Sequence, residues 1–212
     1  MGKNRIVMNL ILPSTEDRLC QIIDLSYQIF QARIINGSIE QFDNEASMQL
    51  QLGVILQNVG LLYEWAEDEH FSIRLEKKFK LENATSKSSN GNARCDIYLE
   101  LCKGEQTYKV GIELKYLPKS KDEATTDCRL SILCDVENLE YYKLHGYIDK
   151  GYAIVYTTNS NYADPNTRSN INIGDRIRVA GGKSNYKEVT LNNTYTFHWD
   201  SHQSHHFLKV EV

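Results

Sequence analysis

Two runs of alternating apolar residues, 96–101 and 109–116, meet across Gly104-Glu105. Period two marks strands, and a short Gly-containing link between two such runs marks a β-hairpin. No other feature constrains the chain as tightly, because the register of a hairpin assigns each side chain to one face. In the second strand Val110, Ile112, Leu114 and Tyr116 point one way, while Lys109, Gly111, Glu113 and Lys115 point the other. In the first strand Ile97, Leu99 and Leu101 share a face, with Asp96, Tyr98 and Glu100 opposite. A turn centred on Gly104-Glu105 sets Glu100 across from Lys109, a favourable pair, and Asp96 across from Glu113. Two facing carboxylates are unfavourable unless a cation or a proton comes between them.

That pair is the chemistry-bearing feature. Two carboxylates can hold a hard divalent cation such as Mg²⁺, with Mn²⁺ as a substitute, which takes oxygen ligands and keeps several waters. The backbone carbonyl of Leu114 offers a further oxygen. Lys115 follows on the same face as Glu113, where it can position an attacking water or favour its deprotonated form. A metal lowers the pKa of water and stabilises charge on a phosphate in flight. A phosphodiester is a substrate that needs this combination of acid, acid, ammonium and metal.

Helices precede the hairpin. Pro13-Ser-Thr-Glu-Asp17 is a capping cluster, and Leu19, Ile22, Ile23, Tyr27, Phe30 and Ile34 follow at helical spacing up to Asn36-Gly37. Ser38 with Gln41 reads as a capping box opening a second helix. Its stripe is Met48, Leu52, Ile55, Val59 and Leu62, and a second row of Leu50, Val54, Leu61 and Trp65 predicts a mostly buried helix. A strand is expected over 71–81, a polar loop over 83–92 and irregular chain over 117–130. A helix is expected over 135–149 with Asp135 as its cap, then a strand over 151–158 covered on both faces. An Asn-rich loop at 159–175 leads to short strands at 187–191, 195–199 and 207–212.

The pattern resembles the PD-(D/E)xK nuclease superfamily, the fold of restriction endonucleases. The matching residues are Arg94-Cys95-Asp96-Ile97 and, seventeen positions after the Asp, Glu113-Leu114-Lys115, with Cys95 where the motif has Pro. The resemblance implies that Asp96 and Glu113 bind metal and that Lys115 serves the nucleophile. It also implies an acid on a helix before the sheet. Glu45 is the candidate: it extends the buried stripe three residues before Met48, and a carboxylate on that side needs a partner. The expected architecture is α/β, a restriction-endonuclease-like mixed central sheet flanked by helices. A single domain over 1–212 is expected, with its core at about 39–158 and a C-terminal β elaboration at about 159–212.

Composition agrees with a globular chain and sets limits. The net charge of -4 excludes a wholly basic coat but not a local basic groove. Lys119 and Lys121 leave the site directly, and Arg168, Arg176 and Arg178 follow in the later loops, so these five are the candidate nucleic-acid contacts. His198, His202, His205 and His206 surround a hairpin turn and are not expected to bind metal. Five cysteines, an odd number with no CxxC pair, fit a reduced cytoplasmic protein, and no apolar run is long enough for a membrane span. The expected function is Mg²⁺-dependent hydrolysis of phosphodiester bonds in DNA by a homodimer. The rivals are a structure-specific or RNA nuclease and a catalytically silent nucleic-acid-binding or protein-interaction module on the same fold.

Overall fold

A computed structural model describes residues 13–39, 42–83, 85, 91–117, 125–163, 177–181 and 185–212, apart from the side chains of 125–129, 177–181 and 185–188. Helix α1 (Thr15–Ile35) starts where the sequence places it. The Ser14 hydroxyl accepts the Asp17 N–H at 3.0 Å, and the Asp17 carboxylate accepts the Ser14 N–H at 3.3 Å. It ends at Asn36, and Gly37 takes the left-handed φ of +70° that closes many helices. Helix α2 (Glu45–Leu61) begins later than the expected Ser38. Asn44 is its cap, accepting the Ser47 N–H at 2.9 Å. Between the helices Ile39 and Phe42 are buried instead of opening a helical turn.

The row Met48, Leu52, Ile55 and Val59 faces the core as expected, but Leu62, the last residue of that stripe, caps the helix and is exposed. The second row does not face the core: Leu50 is 57% exposed, and Val54, Leu61 and Trp65 also face outward. The sheet and α1 cover only one side of α2, so the expectation of a mostly buried helix is corrected. Gly60 lies where α2 comes closest to the sheet; a Cβ there would run into the buried Phe71 ring.

Strands β1 (Glu69–Lys80), β2 (Asn92–Lys103) and β3 (Gln106–Leu117) form an antiparallel meander. The β2–β3 turn lies at Gly104-Glu105, and Glu100 stands opposite Lys109, as the alternation requires. Helix α3 (Thr125–Leu144) then carries the chain back, so that β4 (Lys150–Thr157) runs parallel to β3. Residues 151–157 are buried throughout, which fits a strand covered on both faces. After the short α4 (Ser160–Ala163), β5 (Ile177–Gly181) and β6 (Asn185–Val189) make a separate two-stranded ladder. The chain closes with β7 (Trp199–His202) and β8 (His205–Glu211). The result is a mixed α/β arrangement: a six-stranded, mostly antiparallel sheet in the order β1-β2-β3-β4-β8-β7, flanked by helices. Ile97, Leu99, Ile112 and Ile154 pack against α1 and α2, while Tyr98, Ala153, Val155 and Leu208 lie on the α3 side.

Further expectations change: α3 ends at Leu144 instead of 149, and the strand expected over 195–199 is absent until β7 begins at Trp199. Helix α3 starts at Thr125, ten residues before Asp135, through a segment expected to be irregular. Its Leu130, Leu133 and Cys134 bury themselves against Val189, in a small cluster that the later chain supplies. The final hairpin of the C-terminal β elaboration joins the main sheet, since β8 pairs with β4. Among the described residues no helix is long and apolar enough to cross a membrane.

One buried ion pair ties α1 to the start of the sheet. The Arg18 guanidinium meets the Glu69 carboxylate through two bonds of 2.7 and 2.8 Å, and both side chains are inaccessible. Arg18 also donates to the Tyr63 carbonyl at 2.9 Å, and Glu69 accepts from the Trp65 N–H at 2.7 Å and from Lys103 at 3.0 Å. Arg18→Ala removes the two-bond partner of a buried carboxylate and is expected to cost about 3–5 kcal/mol in urea unfolding. The Arg18 bonds, aided by Trp65 and Lys103 and opposed by burial, hold the Glu69 pKa well below the carboxylate range. A lowered folded pKa gives stability that is present above the unfolded value and lost as pH falls through the folded one. Stability should therefore decline below about pH 4.3, and Glu69→Gln, though less stable at neutral pH, should show a shallower acid decline. An equally steep decline in both proteins would refute the assignment.

Candidate active site

Pairing of β2 with β3 runs from Lys103↔Gln106 to Ile97↔Ile112 and stops. Asp96 is the next residue. Strict alternation would put Cys95 on one face with Ile97, yet Cys95 packs on the α3 side with Tyr98, while Ile97 packs toward α1 and α2. The backbone therefore breaks its alternation at Asp96. The neighbouring strand is perturbed at the same level: Glu76 has φ of +53°, and it falls between the pairs Leu75↔Ile97 and Lys77↔Cys95. A left-handed non-glycine residue costs about 1–3 kcal/mol and persists only where its surroundings hold it. Here the Glu76 carboxylate takes Arg94 at 3.1 Å and the Gln49 amide at 3.2 Å. Gln49 also donates to the Asp96 carbonyl at 2.6 Å.

Beyond the break, β3 keeps backbone donors that β2 no longer meets. Asp96 Oδ2 accepts the Leu114 N–H at 2.7 Å, and Glu45 Oε2 accepts the Tyr116 N–H at 3.2 Å. Two carboxylates thus stand where a strand would have supplied carbonyls. The N–H and C=O of one strand residue point the same way, so the Leu114 carbonyl faces the same opening as its amide. On the other side of the segment, Tyr116 stacks on Tyr156 and meets the edge of Phe42, forming an apolar wall.

Glu113 and Lys115 follow Gly111 along the side of β3 that faces α3, where Gly111 lies against Cys95 and Ile148. Glu113 is 1% exposed. Lys115 Nζ lies 3.1 Å from Glu45 Oε2 and 3.7 Å from Asp135 Oδ2. The site grades inward: the Glu45 side chain is 40% exposed, that of Lys115 18%, and that of Asp135 3%.

Several of the expected placements change. Asp96 does not share a face with Tyr98 and Glu100; its carboxylate turns onto the β3 backbone. Glu45 does find a partner, but it is half-exposed and its partners are Lys115 and a backbone amide. The Glu100 carboxylate bonds Arg74 at 2.9 Å and the Tyr98 hydroxyl at 3.1 Å. Lys119, Lys121, Arg168 and Arg176 lie outside the described residues; Arg178 lies on β5, its side chain outside the description. His202 and His205 pair across the final turn, which is the expected hairpin, while the His205 ring bonds Tyr156 and the His206 ring bonds Ser201.

Sequence reasoning missed Gln49 and took Asp135 for a helix cap. Asp135 lies within α3, on the same buried row as Leu139 and Tyr142. A charged residue that extends a buried apolar row at helical spacing is the signal that picked out Glu45, and it could have found Asp135.

Among the described residues no three His, Cys, Asp or Glu side chains are grouped to hold a metal ion. Mg²⁺ does not need such a cage, because it commonly takes one or two carboxylates with waters and substrate phosphate. Asp96, the buried Glu113 and the Leu114 carbonyl are all hard oxygen donors, the donor type that ion takes. Compared with models of known families, with curated proteins and with solved structures, the chain has no match in any of the three.

The capping role of Asp96 is separable from metal chemistry. Asp96→Ala leaves the Leu114 amide without its acceptor and is expected to cost about 1–3 kcal/mol. Asp96→Asn keeps an oxygen there and should cost about 1 kcal/mol or less. Unfolding midpoints, together with hydrogen exchange at Leu114, read the difference; equal losses would count against the cap.

Proposed function

We propose that this chain is a metal-dependent phosphodiesterase acting on DNA, with a fold resembling that of restriction endonucleases. The observation that carries the reading is the opening where β2 leaves β3, at which Asp96 and Glu45 engage the Leu114 and Tyr116 amides on either side of Lys115. Asp96, Glu113 and the Leu114 carbonyl are the groups that would hold Mg²⁺ or Mn²⁺. The ion supplies Lewis acidity toward a phosphate oxygen and lowers the pKa of water. Glu113 contributes negative charge from a buried position, where electrostatic interactions are least screened. Lys115 directs the attacking water and balances charge developing on the phosphate. Glu45 restrains Lys115 from the mouth of the site. Cutting both strands with one site per chain is simplest for a homodimer.

A second reading has an observation of its own. The Asp96 and Glu45 carboxylates already serve backbone amides, which a silent binding module would equally need. Supercoiled plasmid separates the two. Nicking or linearisation with Mg²⁺ is expected, with loss in chelator and recovery in Mn²⁺. Glu113→Gln and Lys115→Ala should each lower the rate by about 10²-fold or more while keeping the native circular dichroism spectrum. Cleavage of RNA or of branched DNA alone would shift the substrate class. Retention of DNA without any metal-dependent cutting would favour the silent module.

A further inference from the structure

We propose that Asp135 is a positioning residue: from α3 it holds the Lys115 ammonium over the site, opposite Glu45. This rests on the reading of Lys115 as the group that serves the nucleophile. Lysine is a point charge on a four-carbon stem with several rotatable bonds. One carboxylate at the mouth of a cleft would leave Nζ free to follow that carboxylate outward into water. Two carboxylates, arriving from elements on different sides of the sheet, remove that freedom. Glu45 comes from the first turn of α2 at 3.1 Å, and Asp135 comes from α3 at 3.7 Å.

The two partners are not equivalent. The Glu45 side chain is 40% exposed, and water screens its pull. The Asp135 side chain is 3% exposed and lies on the packed side of α3, so its field is felt with little screening. The longer contact is therefore the less screened one. Packing fixes it further: Val136 and Leu139, its neighbours on α3, are fully buried against the sheet. A carboxylate at this depth is expensive to bury without a cation beside it. Lys115 is a cation within ion-pair distance, and the pair orients the amine as it offsets the cost of burial. Misplacing a reacting or orienting group by about 1 Å can cost on the order of 10²-fold in rate. That sets the scale expected for loss of the anchor.

The test uses the full chain. Asp135→Asn should lower kcat for plasmid cleavage in Mg²⁺ by about 10- to 100-fold and leave KM unchanged. Asp135→Glu, which keeps the charge, should recover most of that kcat and also serves if the Asn variant folds poorly. A matching rise in KM, or equal losses in the Asn and Glu variants, would overturn the assignment. Urea unfolding of Asp135→Asn, Lys115→Met and the double variant reads the contact without any cleavage. The double variant should lose less stability than the two single losses combined, and simple additivity would overturn the pairing. A wild-type protein that cuts no nucleic acid refutes the nuclease reading instead, and the unfolding cycle then decides the Asp135–Lys115 contact by itself.

Discussion

Backbone donors that lose their strand must find other acceptors, and the candidate site follows from that requirement. When β2 breaks away at Asp96, the Leu114 and Tyr116 amides of β3 are left facing an opening. Leaving a buried amide unmet costs as much as a lost hydrogen bond. Asp96 and Glu45 meet the two amides with carboxylates, and the same step brings negative charge to the opening. Lys115 then lies between Glu45 and Asp135, drawn by charge that the backbone arrangement first collected. A structural necessity and a chemical opportunity thus share the same atoms.

The rest of the fold keeps that break in place. On one side, α2 sends Gln49 to the Asp96 carbonyl and Glu45 to the Tyr116 amide, so a single helix supports both ends of the opening. On the other side, β4 pairs with β3 in parallel along its whole length, from Val110↔Lys150 to Leu117↔Thr157. β3 can therefore lose one neighbour without losing its course. Helix α3 provides the crossover that parallel pairing demands and carries Asp135 to Lys115. Further off, the Arg18–Glu69 pair joins α1 to the start of β1. Buried charges at that pair serve the scaffold, whereas those near Lys115 surround an accessible group. The two sets look alike in sequence, and their surroundings separate them.

Local rules read the early chain well. Helix α1, its Ser14 cap and its Gly37 stop came out as expected because each depends on residues within a few positions of one another. The β2–β3 turn and the opposition of Glu100 to Lys109 were equally readable, since a two-residue turn determines the register of the strands it joins. The misses share a cause. Leu50 and Val54 looked like core residues because periodicity records apolarity and not which neighbours arrive to cover it. Leu130, at the end of the stretch expected to be irregular, is covered by Val189, more than fifty residues later. The last hairpin had no assigned place because nothing local to β8 names β4 as its partner.

Composition and alternation, with no coordinates, were enough to bring Asp96, Glu113 and Lys115 to adjoining strands. They act at short range, through the period of a strand and the reach of a tight turn. The orientation of Asp96 in the plane of the sheet, the half-exposed setting of Glu45 and the arrival of Asp135 beside Lys115 required the assembled molecule. Each depends on a break in pairing or on a helix docking from far along the chain, and such contacts form only when distant segments pack together.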